Sequence, residues 1–502
     1  MKLNRIRIKN LKSSGLLKDF DWTANYLLDD VERLNPKCLV GVNGSGKSQL
    51  LEAITEIFYL LNEYWNNGIK LSADIEFELV YFIKRGGEIL EITIQTDEKK
   101  KIDVYQKLNG KFKLFEGNPL ELLPSRIIGY TSGQNETLSL RYLDIYSDYA
   151  EQVRNAALNE KSKNTIIPTP LFSWVDYESN IAVLIANFML REKGELQFFE
   201  SQIKLKSVES FRIVIQLNDK KEIKLTDELK GYIDNLKKTS TTYLYTKSIE
   251  TYVFDFYSDD ELKKAFDHFF DNASKLFLAF YKLGLLNELI IQKKVRQEIK
   301  RQRNDHKTVV KPPIVPDSDK VFRFDKVKIN VAELLHEIDY VGLSDGEHQF
   351  VHILGTILMF DEDNSLFLLD EPESHFNPLW RIEFLKTLHR ITKDRFQDFL
   401  ITTHAPYLLS DTPRDDIYIF KREGNKVSFQ EPSKATFGAS FDELLEIAFG
   451  LKPPISSISS GRIDELVKSN SEDEIKEGLK SIGDSAQKMR LYQRIVELKK
   501  EN

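Results

Sequence analysis

Residues 41–50 read GVNGSGKSQL. The run KCLVG (37–41) leads in as an apolar strand, and KSQLLEAITEIFYLLNEYW (47–65) leads out with helical periodicity. Gly41 to Ser48 therefore satisfies G-x-x-x-x-G-K-[ST] in the strand–loop–helix setting that the motif requires. Glycines let consecutive backbone N–H groups turn inward around phosphates, and the start of a helix adds positive potential. Asn43, Gly44, Ser45 and Gly46 are expected to form the phosphate cradle. Lys47 is expected to reach the β- and γ-phosphates, and the Ser48 hydroxyl to ligate magnesium. ATP and Mg2+ are the cofactors this loop predicts.

A second motif, SLFLLDEPE (365–373), is an apolar strand ending in adjacent carboxylates. Asp370 is placed to hold the magnesium shell and Glu371 to polarise an attacking water. Phosphoryl transfer asks the protein for positioning and charge more than for covalent chemistry. Three further stretches need this context. LSDGEHQ (343–349) reads on its own as a turn and helix start. ITTHAP (401–406) sets His404 at the end of an apolar strand. GYTSGQNE (129–136) sets Gln134 just past another.

Taken together, these stretches resemble ABC-type P-loop ATPases, the group that includes the SMC, RecF and OLD ATPases. LSDGEHQ starts 22 residues before the SLFLLD strand, which is the family spacing. The resemblance implies that Ser344, Gly346 and Glu347 form the signature, whose amides bind the γ-phosphate of ATP held by an opposite subunit. It implies that His404 is the γ-phosphate switch, and that Gln134 is the Q-loop residue touching nucleotide and metal. DEPESHFNP (370–378) is closer to the D-E-P-E-x-H-x-x-P pattern of OLD-like AAA-family ATPases of prokaryotic defence systems. The stretch KCLVGVNGSGKSQLLEAITEIFYLL (37–61), with GYTSGQNE and TFGAS (436–440), looks most like restriction-system-associated AAA ATPases.

The fold class that follows is α/β: an ABC-type ATPase head, with a mixed sheet and flanking helices, split by a helical insertion. Residues 1–150 form its N-terminal lobe, 151–320 a mainly helical insertion, 321–450 the C-terminal lobe and 451–502 a small helical region. Asn-Gly at 109–110 marks a hairpin between KIDVYQKL and KFKLF. The insertion lacks the sustained heptads of a long coiled-coil arm.

The implied activity is ATP hydrolysis that drives a head-to-tail dimer switch and controls a separate effector, a nuclease among the candidates. A RecF-like repair ATPase and an ATP-stabilised scaffold with little turnover are the alternatives. A transporter subunit predicts a chain of about half this length.

Composition narrows the partners. The 502 residues carry 71 Lys+Arg against 78 Asp+Glu, a net charge of −7, so no global basic field favours nucleic acid. The run QKKVRQEIKRQRNDHK (292–307) is the local exception, a candidate for sequence-independent DNA contact. One cysteine, Cys38, excludes a disulfide framework or a cysteine-based zinc cluster. Without a signal segment or an apolar run of membrane-spanning length, the chain is expected to be cytoplasmic with no membrane partner. After His404 there is no D-x-D element in strand context, so a nuclease centre on this chain is not expected.

Overall fold

The computed structural model describes residues 1–502 except 12–14, 25, 27–30, 73–74, 98, 109, 133–135, 219–221, 305–309, 311, 394, 453–454 and 502. The nearly continuous apolar runs become the centre of a seven-stranded sheet. Its order is Lys426–Gln430, Ile417–Glu423, Lys37–Val40, Asp398–Thr403, Ser365–Asp370, Arg126–Thr131 and Phe172–Trp174. Every pairing is parallel except that of the outermost hairpin. Strands Lys37–Val40, Asp398–Thr403 and Ser365–Asp370 are buried at every position. Parallel strands covered on both faces read as unbroken apolar sequence for this reason. Cys38 lies in the first of them, wholly buried, with its sulfur 3.5 Å from Thr412 Oγ1.

Register carries the functional consequence. Val40 pairs with Thr403, Thr402 with Asp370, and Asp370 with Thr131. Four strands from distant parts of the chain thus end in one row. In open parallel sheets this carboxyl-end rim is where ligands bind.

The helix Lys47–Asn67 starts at Gly46 (φ 102°) and stops at Gly68 (φ 64°), both left-handed. It is buried on several sides, as a helix held between layers must be. It touches strands Ser365–Asp370 and Asp398–Thr403, while Phe58 meets Tyr81 edge-on with centroids 6.1 Å apart. Tyr81 belongs to a six-stranded antiparallel sheet ordered Phe20–Thr23, Lys2–Asn10, Glu76–Arg85, Glu88–Thr96, Ile102–Leu108 and Lys111–Leu114. The last two form the expected hairpin, with Leu108 opposite Lys111.

The stretch 151–320, expected to be mainly helical, also supplies Leu205–Gln216, Thr242–Thr246 and Thr251–Tyr257 to a five-stranded antiparallel sheet. Phe322–Val331 and Ile338–Asp339 complete it, so the sheet crosses the boundary drawn at residue 320. The signal was obscured by bulges. Pairing of Leu205–Gln216 with Phe322–Val331 shifts register between Leu205 and Ser207, Val208 and Ser210, and Phe211 and Ile213. Each shift breaks the two-residue alternation by which a strand is recognised.

The chain closes with helices Ser457–Lys468, Glu472–Ser481 and Lys488–Glu501 around Ile463, Leu466, Ile475, Leu491, Ile495 and Leu498. Among the described residues no helix is long and apolar enough to cross a membrane.

Candidate functional site

The glycine loop is shaped by close approach as much as by rotation. A Cβ on Gly41 (φ 142°) would fall 2.5 Å from the Phe420 carbonyl oxygen, and one on Gly46 2.7 Å from Val427. The hairpin of strands Ile417–Glu423 and Lys426–Gln430 therefore presses the loop into shape. No side chain caps the helix that follows, which leaves its first N–H groups for a ligand. Ser45 is 1% exposed, and its buried Oγ has no hydrogen-bond partner. An orphaned hydroxyl beside uncapped amides is the donor set a phosphate satisfies.

The loop opens into a cleft of about 370 Å3, within the usual size for a small-molecule site. Asn43 to Gln49 line one side, Thr131, Ser132, Asp370 and Glu371 the other, with Leu16 and Arg422 at its margin.

Asp370 collects three hydroxyls. Ser48 Oγ donates to Oδ1 at 2.9 Å, Thr402 Oγ1 to Oδ1 at 2.6 Å and Thr131 Oγ1 to Oδ2 at 3.2 Å. Carboxylate and hydroxyl oxygens are the hard ligands a magnesium ion takes, alongside water and phosphate, so the donor set fits that ion. Lys47 Nζ donates to the Gly41 and Val42 carbonyls at 2.8 and 3.3 Å and lies 3.2 Å from His404 Nε2. Burial lowers its pKa from the ordinary lysine value.

Glu371 occupies the left-handed region (φ 51°), uncommon for a side chain of its size. Its N–H holds it there, donating to both the carbonyl and the hydroxyl oxygen of Thr402, each at 3.1 Å. The carboxylate lies 3.2 Å from His404 Nε2, and that contact, helped by Lys47, holds it below the usual glutamate range. The imidazole stacks on Phe449, with centroids 5.9 Å apart. Two residues on, burial pushes the Glu373 carboxyl up to about 7.

Ser344 caps helix Asp345–Met359 through a reciprocal box with Glu347. Gly346 lies against the His375 carbonyl, where a Cβ would stand at 2.7 Å. Gln349 ties this helix inward: its Nε2 donates to Tyr130 OH at 2.7 Å, and its Oε1 accepts the His375 N–H at 3.0 Å. Ser344, Gly346 and Glu347 do not line the cleft. Gln134 lies outside the described residues.

The structure thus brings together Asn43 to Ser48, Asp370, Glu371 and His404, while the signature stands apart. Sequence reading missed Thr131, Thr402 and Arg422. Thr402 and Thr131 left a trace, as polar residues near the ends of the apolar strands that lead into ITTHAP and GYTSGQNE.

The basic run expected to contact DNA lies against acids of this chain. It forms helix Lys293–Asn304, and five of its cations pair with acids of this chain. Lys293 and Arg296 pair with Glu151, Lys300 with Asp148, Arg303 with Asp144 and Arg301 with Glu298, at 2.7–2.9 Å. Arg296 and Arg303 are buried. The charge fastens this helix to helix Glu136–Leu158, because a buried cation requires a partner.

Residues 211–410 match a protein-family profile described as "AAA domain, putative AbiEii toxin, Type IV TA system". The "Retron Vc95 probable ATPase" of Vibrio cholerae serotype O1 biovar El Tor is 20% identical over 489 residues, 92% of this chain and 82% of that protein. "Protein ea59" of Escherichia phage lambda is 31% identical over 90 residues, 18% of this chain and 17% of that one. Among solved structures, the SMC head domain from Thermotoga maritima overlaps 86% of this chain and all of its own, with 11% identity and a TM-score of 0.34.

Proposed function

We propose that this chain is a P-loop ATPase that turns over ATP between two head-to-tail copies and uses the closure to control a separate effector in an anti-phage system. The observation that carries the reading is the division of the site. Cradle, metal-type ligands, carboxylate and histidine converge on one rim, whereas Ser344 stands exposed at a helix start outside that cleft. A second copy supplying Ser344 and Gly346 would complete the phosphate shell, giving two equivalent sites across a twofold axis.

In this reading the uncapped amides and Ser45 hold the phosphates, and Lys47 exchanges its loop carbonyls for β- and γ-phosphate oxygens. Ser48 and Asp370 hold magnesium, which supplies charge neutralisation to the phosphates when bound. Glu371, kept ionised by His404, accepts a hydrogen bond from the water that attacks the γ-phosphorus. The bond from that phosphorus to the β,γ-bridging oxygen then breaks. ATP binds the closed pair better than the open one, so its loss reopens the heads.

The link to defence comes from the retron ATPase, which aligns along 92% of this chain. The effector stays a separate protein in this reading. The test is the solution mass of Glu371→Gln by light scattering, with and without ATP and magnesium. Doubling with ATP is expected, and Lys47→Ala should abolish it. One mass in both states overturns the switch.

A further inference from the structure

Hydrolysis as described leaves the second glutamate of DEPE, Glu373, without a task. Glu373 is 3% exposed, and its Oε1 accepts a hydrogen bond from Thr403 Oγ1. The same Thr403 oxygen accepts the N–H of Ala405 at 2.9 Å. Thr403 and Ala405 are the two neighbours of His404. One carboxylate, through one hydroxyl, therefore grips the backbone on both sides of the imidazole.

The other end of the same short loop is tied just upstream, where the Glu371 N–H meets both oxygens of Thr402. Residues 371–373 and 402–405 are thus clamped at two points. His404 is set between them, 3.2 Å from the Glu371 carboxylate and 3.2 Å from Lys47. A carboxylate is an expensive group for joining two strand ends. The Glu373 Oε2 is buried with no partner, a desolvation penalty that an apolar contact would avoid. Such a penalty persists where the geometry it enforces matters to function.

We propose that Glu373 is a positioning residue: through Thr403 it fixes the peptide carrying His404 and so sets the imidazole against Glu371. This rests on the reading of Glu371 and His404 as the hydrolytic pair. Displacing catalytic groups by an ångström lowers a rate by up to about 100-fold without touching substrate affinity. The grip needs an acceptor at Oε1 and not a charge, so an amide can replace the acid.

The experiment is steady-state ATP hydrolysis by the full chain. Glu373→Ala should lower kcat by about 10- to 100-fold and leave KM within about 3-fold. Glu373→Gln should return kcat to within about 3-fold of the parent. Thr403→Val removes the donor with little change of shape, and provides the same reading should Glu373→Ala fail to fold. It should match the alanine loss, and the double variant should lose no more than either single one.

A parental kcat in both Glu373→Ala and Thr403→Val, a loss confined to KM, equal damage from alanine and glutamine, or additive losses in the cycle would each overturn the proposal. Glu371→Gln serves as the control. Its parental turnover would overturn the hydrolytic reading and this proposal together. Its inactivity beside a fully active Glu373→Ala overturns this proposal alone.

Discussion

Two stretches of this chain announce phosphate chemistry, the glycine loop at 41–48 and the basic run at 292–307. They differ in how far this chain already meets the demand of their donors. In the loop, the Ser45 hydroxyl is orphaned and the helix amides are uncapped. In the basic helix, Lys293, Arg296, Lys300, Arg301 and Arg303 each have a carboxylate of this chain within 3 Å. Charge in a sequence is ambiguous until its partners are known. The distinction is between donors with unmet demand and donors already satisfied.

The sharpest test of the first region is catalytic. Glu371→Gln is expected to reduce turnover by about 100- to 10,000-fold with nucleotide still bound, read by phosphate release beside a binding isotherm. The sharpest test of the second is structural. Arg303→Ala leaves the buried Asp144 carboxylate to Arg141 alone, 3.3 Å away, and should cost about 1.5–3 kcal/mol in denaturant unfolding. A free DNA-binding surface would lose affinity instead, at little cost in stability.

A pH titration of stability probes the cleft side again. The Glu373 carboxyl, raised to about 7 by burial with Glu371 and Arg381 as neighbouring charges, binds its proton more tightly folded than unfolded. Its stabilising contribution is full below its unfolded value of 4.5 and is lost as pH rises through 7. The loss amounts to about 3 kcal/mol by linkage. Glu373→Gln should flatten that part of the curve. The smallest effect belongs to Arg301→Ala, whose exposed pair with Glu298 should be worth less than about 0.5 kcal/mol.

What the sequence disclosed was local. Gly41 to Ser48 and the SLFLLDEPE strand declare themselves because their geometry is encoded within ten residues. Thr131 and Thr402 did not, because they become ligands of Asp370 only through the register of three parallel strands far apart in the chain. The strand Leu205–Gln216 was hidden by its bulges, and the fate of the basic run depended on acids some 150 residues upstream. Non-local pairing is the information that periodicity does not hold.

Cys38 supplies a practical handle. It is the sole cysteine, wholly buried, with its thiol pushed up to about 12 by burial, so at neutral pH it is neither accessible nor in the reactive thiolate form. The natural chain is therefore already a blank background for fluorophores and spin labels. A single cysteine placed on its surface would report nearest-neighbour distances as ATP comes and goes, with no native thiol to remove first.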